Sequence, residues 1–139
     1  MTVATRWFVG LLATLSMIFT TAPAAMAADP GADASGGGCW TNSGARPCLS
    51  YRGSTRSLVT DFYVLSWNGV APSGTATVWV VVDGWDYRRM GTVCTASLGH
   101  YGAWSTGVGA SGSAWVEVDF FTPSGSWLMT AYSPDQYWP

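Results

Sequence analysis

The sequence predicts an all-β fold: a small antiparallel β-sandwich, or partly open barrel, of six to seven short strands. Three observations support this class. Apolar and polar residues alternate with a period of two in several segments. Clusters of turn-forming Gly, Pro, Asn and Ser recur about every eight to twelve residues. No window shows three successive turns of helical periodicity.

The clearest strand pair is a predicted hairpin over 75–98. Its first strand, 75–83, alternates so that Trp79 lies on the face opposite four small apolar residues, Ala76, Val78, Val80 and Val82. The segment 84–90 (GWDYRRM) is predicted to connect the strands, and 91–98 to form the second one. Side chains of such a connection point into solvent.

The other strands follow in chain order, the first at 48–52. Segment 58–67 has Leu58, Phe62 and Val64 on one face and Val59, Tyr63, Leu65 and Trp67 on the other. Because both faces are apolar, this strand is predicted to be central or covered on both sides. The segment 99–113 is predicted to be a loop or a short edge strand.

Two strands complete the predicted sheet. In 114–121, Val116, Val118 and Phe120 are predicted to point inward, and Glu117 and Asp119 outward. The strand at 126–132 is then expected to end the sheet.

The N-terminal residues 1–27 have the three parts of a secretory signal peptide: Arg6, the apolar run 7–19, and small residues at 25 and 27. The alternative, a retained membrane anchor, is disfavoured because the run is shorter than the about 20 residues that span a bilayer. We expect 28–38 to be disordered and 39–139 to form a single domain. The protein is therefore predicted to be secreted. The absence of lysine beside Ala, Gly and Arg indicates a GC-rich bacterial gene.

Three cysteines follow the predicted signal peptide. Cys39 and Cys48 are the expected disulfide, because the loop between them is short and rich in turn formers. Cys94 is then expected to be a buried thiol that shares a strand face with Ala96 and Leu98. A long-range bridge from Cys94 to either of the other two is the alternative.

The net charge of the chain limits the kinds of partner that it can bind. After residue 27 the chain has five arginines and eight acidic residues, 5 − 8 = −3. Nucleic acid is an unfavourable partner for such a chain, because phosphate binding requires a basic patch. No cofactor motif is found, and no membrane contact is expected once the signal peptide is removed.

Catalysis and metal binding have weak support. A Ser-His-Asp triad would have to use His100, because it is the single histidine of the sequence. The best candidates for an enzymatic site are Glu117 and Asp119, which could be the acid and base of a small glycosidase. Acidic residues at alternate positions of a strand also serve to keep its outer face hydrated. Asp83 and Asp86 flank a turn and could approach calcium, although two such carboxylates are common in turns. We predict no enzyme and no metal site.

The sequence contains more tryptophan than the core of a domain of this size can hold. Eight remain after residue 27, and a core of this size can use about three or four such rings. Some must face outward, and if the strand ending at Trp67 pairs with that of Trp79, then Tyr63, Trp67 and Trp79 share one face. The alternative is that the 99–113 segment covers this face as a second core.

The segment 84–90 is a second candidate surface, with Trp85, Tyr87, Arg88 and Arg89. These residue types are enriched at binding hot spots. Its Trp-Asp-Tyr sequence resembles the aromatic, basic, aromatic tip of the small secreted bacterial α-amylase inhibitors, which are also β-sandwiches. Asp86 stands where the basic residue would be, and three cysteines do not form that family's two bridges.

The sequence therefore leads to three hypotheses. The first is a secreted, non-enzymatic module that binds polysaccharide through its exposed aromatic residues. The second is a protein inhibitor of a secreted hydrolase acting through 84–90. The third is a structural or self-associating cell-surface protein, favoured by low charge and by Gly, Ser and aromatic content.

Overall fold

A computed structural model of the protein describes residues 35–139. The predicted signal peptide 1–27 and the segment 28–34 lie outside the described residues. The strands in chain order are β1 (Ser35–Gly36), β2 (Gly38–Cys39), β3 (Ala45–Arg52), β4 (Ser57–Val64), β5 (Gly74–Val82), β6 (Asp86–Thr95), β7 (Gly99–Gly107), β8 (Gly112–Phe121), β9 (Trp127–Tyr132) and β10 (Gln136–Trp138).

The strands form two antiparallel sheets packed together, which confirms the predicted β-sandwich. The larger sheet has the order β1-β10-β8-β5-β6, with β9 pairing to β8 beside β10. The smaller sheet has the order β2-β3-β4-β7. More strands are present than the sequence predicts, because β1, β2 and β10 are too short to show a periodic pattern.

The core lies between the sheets. The residues that alternation predicts to be inward in β5 and β8 are buried: Ala76, Val78, Val80, Val82, Val116, Val118 and Phe120. In β4, which has two apolar faces, the face in the core is the one with Leu58, Phe62 and Val64. Phe62 of β4 meets Phe120 of β8 edge to face, with ring centroids 5.7 Å apart. Burying such a side chain contributes about 1.5–3 kcal/mol, so the alternation fixes which face of each strand is inside.

The hairpin between β5 and β6 is tighter than predicted. Asp83 and Gly84 both have positive φ, 52° and 79°, and the amide of Trp85 donates to the carbonyl of Val82 at 3.2 Å. Val82 pairs with Asp86, so three residues, Asp83, Gly84 and Trp85, connect the strands, and the positive φ at Asp83 and Gly84 reverses the chain within them. The predicted connecting segment 84–90 is therefore wrong, because strand pairing resumes at once and most of that segment belongs to β6.

The smaller sheet departs from the pairing expected for the aromatic residues. β4 is central, as predicted, but its neighbours are β3 and β7, and β5 lies in the other sheet. Tyr63 and Trp67 consequently do not share a face with Trp79. The segment 99–113, predicted as a loop or short edge strand, contains the nine-residue edge strand β7. It extends the smaller sheet and does not cover the face that carries Trp79.

Both ends of the described chain add to the larger sheet. The prediction that the sheet ends with 126–132 is wrong, because β10 follows β9 on the same edge of β8. β1 pairs with β10, and Gly38 pairs with Leu49. Pairing therefore begins inside the segment 28–38 that was expected to be disordered.

The cysteines give one confirmed and one wrong prediction. Cys39 and Cys48 face each other across β2 and β3 and form the expected disulfide. Cys94 is free and exposed, not a buried thiol. The reason is a bulge in β6. Arg89 pairs with Trp79 and Gly91 pairs with the residue before Trp79, so β6 has one extra residue between these two pairs. From Gly91 onward the inward and outward positions of β6 are therefore exchanged.

Candidate ligand-binding face

The outer face of the larger sheet, turned away from the smaller sheet, brings together most of the outward aromatic residues. Alternation along β5, β6, β8 and β9 places them there, because each is adjacent in sequence to inward residues. We name this surface the aromatic face and define it by Trp79, Tyr87, Trp115, Glu117, Asp119, Trp127 and Tyr132.

The centre of the aromatic face is a row of side chains that crosses four strands. Trp79 of β5 pairs with Glu117 of β8. Arg89 of β6 continues the row beyond Trp79, and Tyr132 of β9 continues it beyond Glu117. Because neighbouring strands are about 4.8 Å apart, Trp79 and Tyr132 flank Glu117 on either side, about 10 Å from each other at the backbone.

The two carboxylates hold the central indoles. The Nε1–H of Trp115 donates to Oε1 of Glu117 at 2.8 Å, and the Nε1–H of Trp79 donates to Oδ2 of Asp119 at 3.1 Å. The hydroxyl of Thr130 donates to the other oxygen of Asp119 at 2.5 Å. Hydrogen bonds to a charged acceptor are the stronger kind, so these bonds restrict the indole rotamers.

The side chains of the aromatic face differ in their exposure to solvent. Trp127, Tyr87 and Tyr132 are 62%, 55% and 45% exposed, while Trp79 and Trp115 are half-buried. Val81 points to this same outer face and yet is fully buried. Its cross-strand partners are Tyr87 and Trp115, so we infer that neighbouring rings lie over it. The outer face therefore presents an aromatic surface that is partly open to solvent.

The charge at this centre is negative. Among residues 35–139 the basic side chains that contact a carboxylate are Arg88, beside Asp86, and His100, beside Asp61, so neither Glu117 nor Asp119 has a basic partner. Arg89, the nearest base along the central row, donates from Nη2 to the hydroxyl of Thr92 at 2.6 Å.

The larger sheet has one further titratable interaction near β10. The hydroxyl of Tyr137 donates to Oδ2 of Asp135 at 3.2 Å. This hydrogen bond, reinforced by the negative charge of the carboxylate, raises the pKa of Tyr137 above its usual value. The phenol therefore remains a neutral hydrogen-bonding group over a wider pH range.

The structure separates the seven residues that the sequence suggests for binding. Trp79, Tyr87 and Arg89 lie on the outer face of the larger sheet. Trp85 lies in the β5–β6 turn and is 76% exposed. The remaining three are placed elsewhere: Tyr63 and Trp67 in and after β4, and Arg88 on the inward side of β6.

Arg88 joins the edges of the two sheets. Its Nη1 donates to the hydroxyl of Thr106 at 3.1 Å and to the carbonyl of Gly107 at 2.6 Å, both at the end of β7. Its Nη2 is 2.7 Å from the carboxylate of Asp86. These contacts direct the guanidinium toward the smaller sheet and away from the aromatic face.

Sequence reasoning missed Trp115, Trp127 and Tyr132 as members of this surface. Trp115 carried a usable signal, because it has the same strand parity as Glu117, which was predicted to point outward. The other two residues had no such signal. Their side depends on the pairing of β9 with β8 and on the bulge within it.

A second polar cluster lies on the outer face of the smaller sheet. The guanidinium of Arg46 stacks over the ring of Tyr63 at 5.0 Å, and the ring of His100 lies 4.8 Å from Tyr63 on the other side. Nε2 of His100 is 2.7 Å from Oδ2 of the buried Asp61. His100 therefore lies on strand β7 and is held by a carboxylate.

The arrangement gives little support to metal or hydrolytic chemistry. Within residues 35–139 no three His, Cys, Asp or Glu side chains are close enough together to hold a metal ion. Glu117 and Asp119 project in the same direction from one strand. A glycosidase requires its two carboxyl groups to flank the scissile bond.

Comparison with known proteins does not assign the chain to a family. No protein-family model matches the chain, and no curated protein or solved structure is significantly similar to it. In residues 35–139 there is no helix that is long and apolar enough to cross a membrane.

Proposed function

We propose that the protein is a non-enzymatic binding module that acts outside the cell and holds polysaccharide on its aromatic face. The observation that carries the proposal is the partly exposed aromatic outer face of the larger sheet, where the indoles of Trp79 and Trp115 are fixed by carboxylates. The Cys39–Cys48 disulfide is compatible with an oxidising compartment.

The chemistry of the aromatic face suits a sugar chain. The C–H face of a pyranose ring is apolar and stacks on aromatic rings, while its hydroxyls require hydrogen-bonding partners. Carboxylate oxygens have two lone pairs each, so Glu117 and Asp119 keep acceptor capacity beyond their bonds to the indoles. Rings that are already held in place lose little conformational entropy when a ligand binds.

The proposal is tested by retention of the purified protein on a panel of insoluble polysaccharides and by calorimetric titration with soluble oligosaccharides. Trp127→Ala should weaken binding by about tenfold, as expected for loss of a well-packed aromatic contact. Trp40→Ala is the matched control, because Trp40 is 63% exposed against 62% for Trp127 but follows β2 in the smaller sheet. Thermal denaturation of both variants checks that they are folded.

Two outcomes would contradict the proposal. One is no retention on any polysaccharide and no heat of binding with any oligosaccharide. The other is binding that Trp40→Ala weakens as much as Trp127→Ala does, which would place the ligand elsewhere on the molecule.

The inhibitor hypothesis has a different test and less structural support. It relied on four side chains around 84–90, but Arg88 is held between the sheets, and the turn itself presents Trp85. Inhibition of a secreted amylase or protease that Trp85→Ala abolishes, without any polysaccharide binding, would favour this second hypothesis over the first.

A further inference from the structure

We propose that the polysaccharide held on the aromatic face is an amino sugar polymer with free, protonated amines, and that Glu117 receives the ammonium group. This inference rests on the proposed function and names the substrate class of the same site. It follows from the position of Glu117, from the absence of a basic partner for it, and from the aromatic rings around it.

Glu117 is at the centre of the aromatic face. Trp79 and Tyr132 are its cross-strand partners on either side, and Trp115 precedes it by two residues on the same strand face. Trp115 occupies Oε1 of the carboxylate through its indole N–H at 2.8 Å. No described residue donates to Oε2. A ligand group that approaches between the flanking rings therefore meets a carboxylate oxygen with free acceptor capacity.

The carboxylate charge is not balanced by the protein residues described here. Glu117 and Asp119 both point to the outer face, and neither forms an ion pair within residues 35–139. Arg89 lies beyond Trp79 in the central row and is bonded to Thr92. The site thus attracts cations and repels polymers that carry carboxylates or sulfates.

An ammonium group fits this combination better than a hydroxyl. Aromatic faces attract a cation placed within about 6 Å of the ring centre, by about 0.5–1 kcal/mol at exposed sites. A primary ammonium has three donors, so it can bond the carboxylate while its C–H neighbours contact the rings. A neutral sugar gains the stacking but leaves the negative charge without a counter-charge.

The test compares two ligands that differ only at the amine: an oligomer of β-1,4-linked glucosamine and its fully N-acetylated counterpart of the same length. Calorimetric titration is performed at mildly acidic pH, where the glucosamine amines are protonated. We expect the amine oligomer to bind about fivefold tighter or more, which corresponds to one partly exposed ion pair. Added salt should reduce this preference, since it screens exposed charges.

Glu117→Gln removes the charge and keeps an amide oxygen that can accept from Trp115, so the face remains assembled. This variant should bind the two oligomers with about equal affinity. Asp135→Asn is the charge-matched control, since Asp135 lies before β10 and outside the central row. It should keep the full preference for the amine oligomer.

The outcomes separate this inference from the proposed function. Equal binding of both oligomers by the unchanged protein, or an amine preference that Glu117→Gln leaves intact, overturns the inference while polysaccharide binding stands. Failure of every oligosaccharide and polysaccharide to bind overturns both. Binding of a lysine-rich peptide with no binding of any oligosaccharide or polysaccharide also overturns both, because the cation would then belong to a protein partner.

Discussion

Replacing Arg88 by alanine should destabilise the fold and leave polysaccharide binding unchanged. The substitution removes two hydrogen bonds to the end of β7, at 3.1 and 2.6 Å, and the ion pair with Asp86. Net contributions of about 0.5–1.5 kcal/mol for each hydrogen bond and below about 1 kcal/mol for a partly exposed ion pair add to about 2 kcal/mol.

This loss is large enough to measure. For a domain of about 100 residues, 2 kcal/mol lowers the Tm by roughly 10 °C. The assays are thermal and urea denaturation followed by circular dichroism, together with oligosaccharide titration of the folded variant. Because the guanidinium points to the smaller sheet, the affinity for the ligand should not change.

Arg89→Ala is the matched control, since it removes the same residue type at the next position. Arg89 has one side-chain hydrogen bond, to Thr92 on the outer face of the larger sheet. Its loss should change the free energy of unfolding by less than about 0.5 kcal/mol, as for most surface substitutions. Equal effects of the two substitutions on stability, or loss of ligand affinity in Arg88→Ala alone, would refute the roles assigned here.

Two further predictions address β6. Cys94 should react with a thiol reagent in the native protein without denaturant, because it is exposed; a thiol that reacts only after unfolding would contradict its outward position. Gly91→Ala should cost about 1–3 kcal/mol in the free energy of unfolding, because the added Cβ would lie 2.7 Å from Nε1 of Trp104, an overpacked contact. Gly107→Ala, where a Cβ meets no atom within 4 Å, is the control in urea denaturation and should be neutral or slightly stabilising.

The hydrophobic core was predictable because it depends on a local rule. In β5 and β8 the inward residues Val78, Val80, Val116 and Val118 are all buried, as their alternation indicates. In these two strands one face is apolar at every position, so no knowledge of the neighbouring strands is needed to see which face is buried. The Cys39–Cys48 bridge was predictable for the same reason, since its ends are close in the chain.

The candidate site was only partly predictable, because it is assembled across strands. Trp79 was recognised as outward from its own strand, but of the residues expected beside it, Tyr63 lies in the smaller sheet and Trp67 lies after the end of β4. Tyr132 and Glu117, which do share its row, are brought there by pairings between residues far apart in the chain. Alternation predicts which face of the sheet each side chain points to, but it does not predict which strands become neighbours.

By itself the sequence determined the strand class of the fold, the inward faces of its main strands, the local disulfide, and the excess of aromatic rings over what the core can hold. Tertiary structure alone decided which rings meet and which neighbouring arginine is structural. The physical reason is that burial of one strand face is a property of a short segment, whereas sheet order, and the reversal of faces beyond the bulge in β6, depend on long-range pairing.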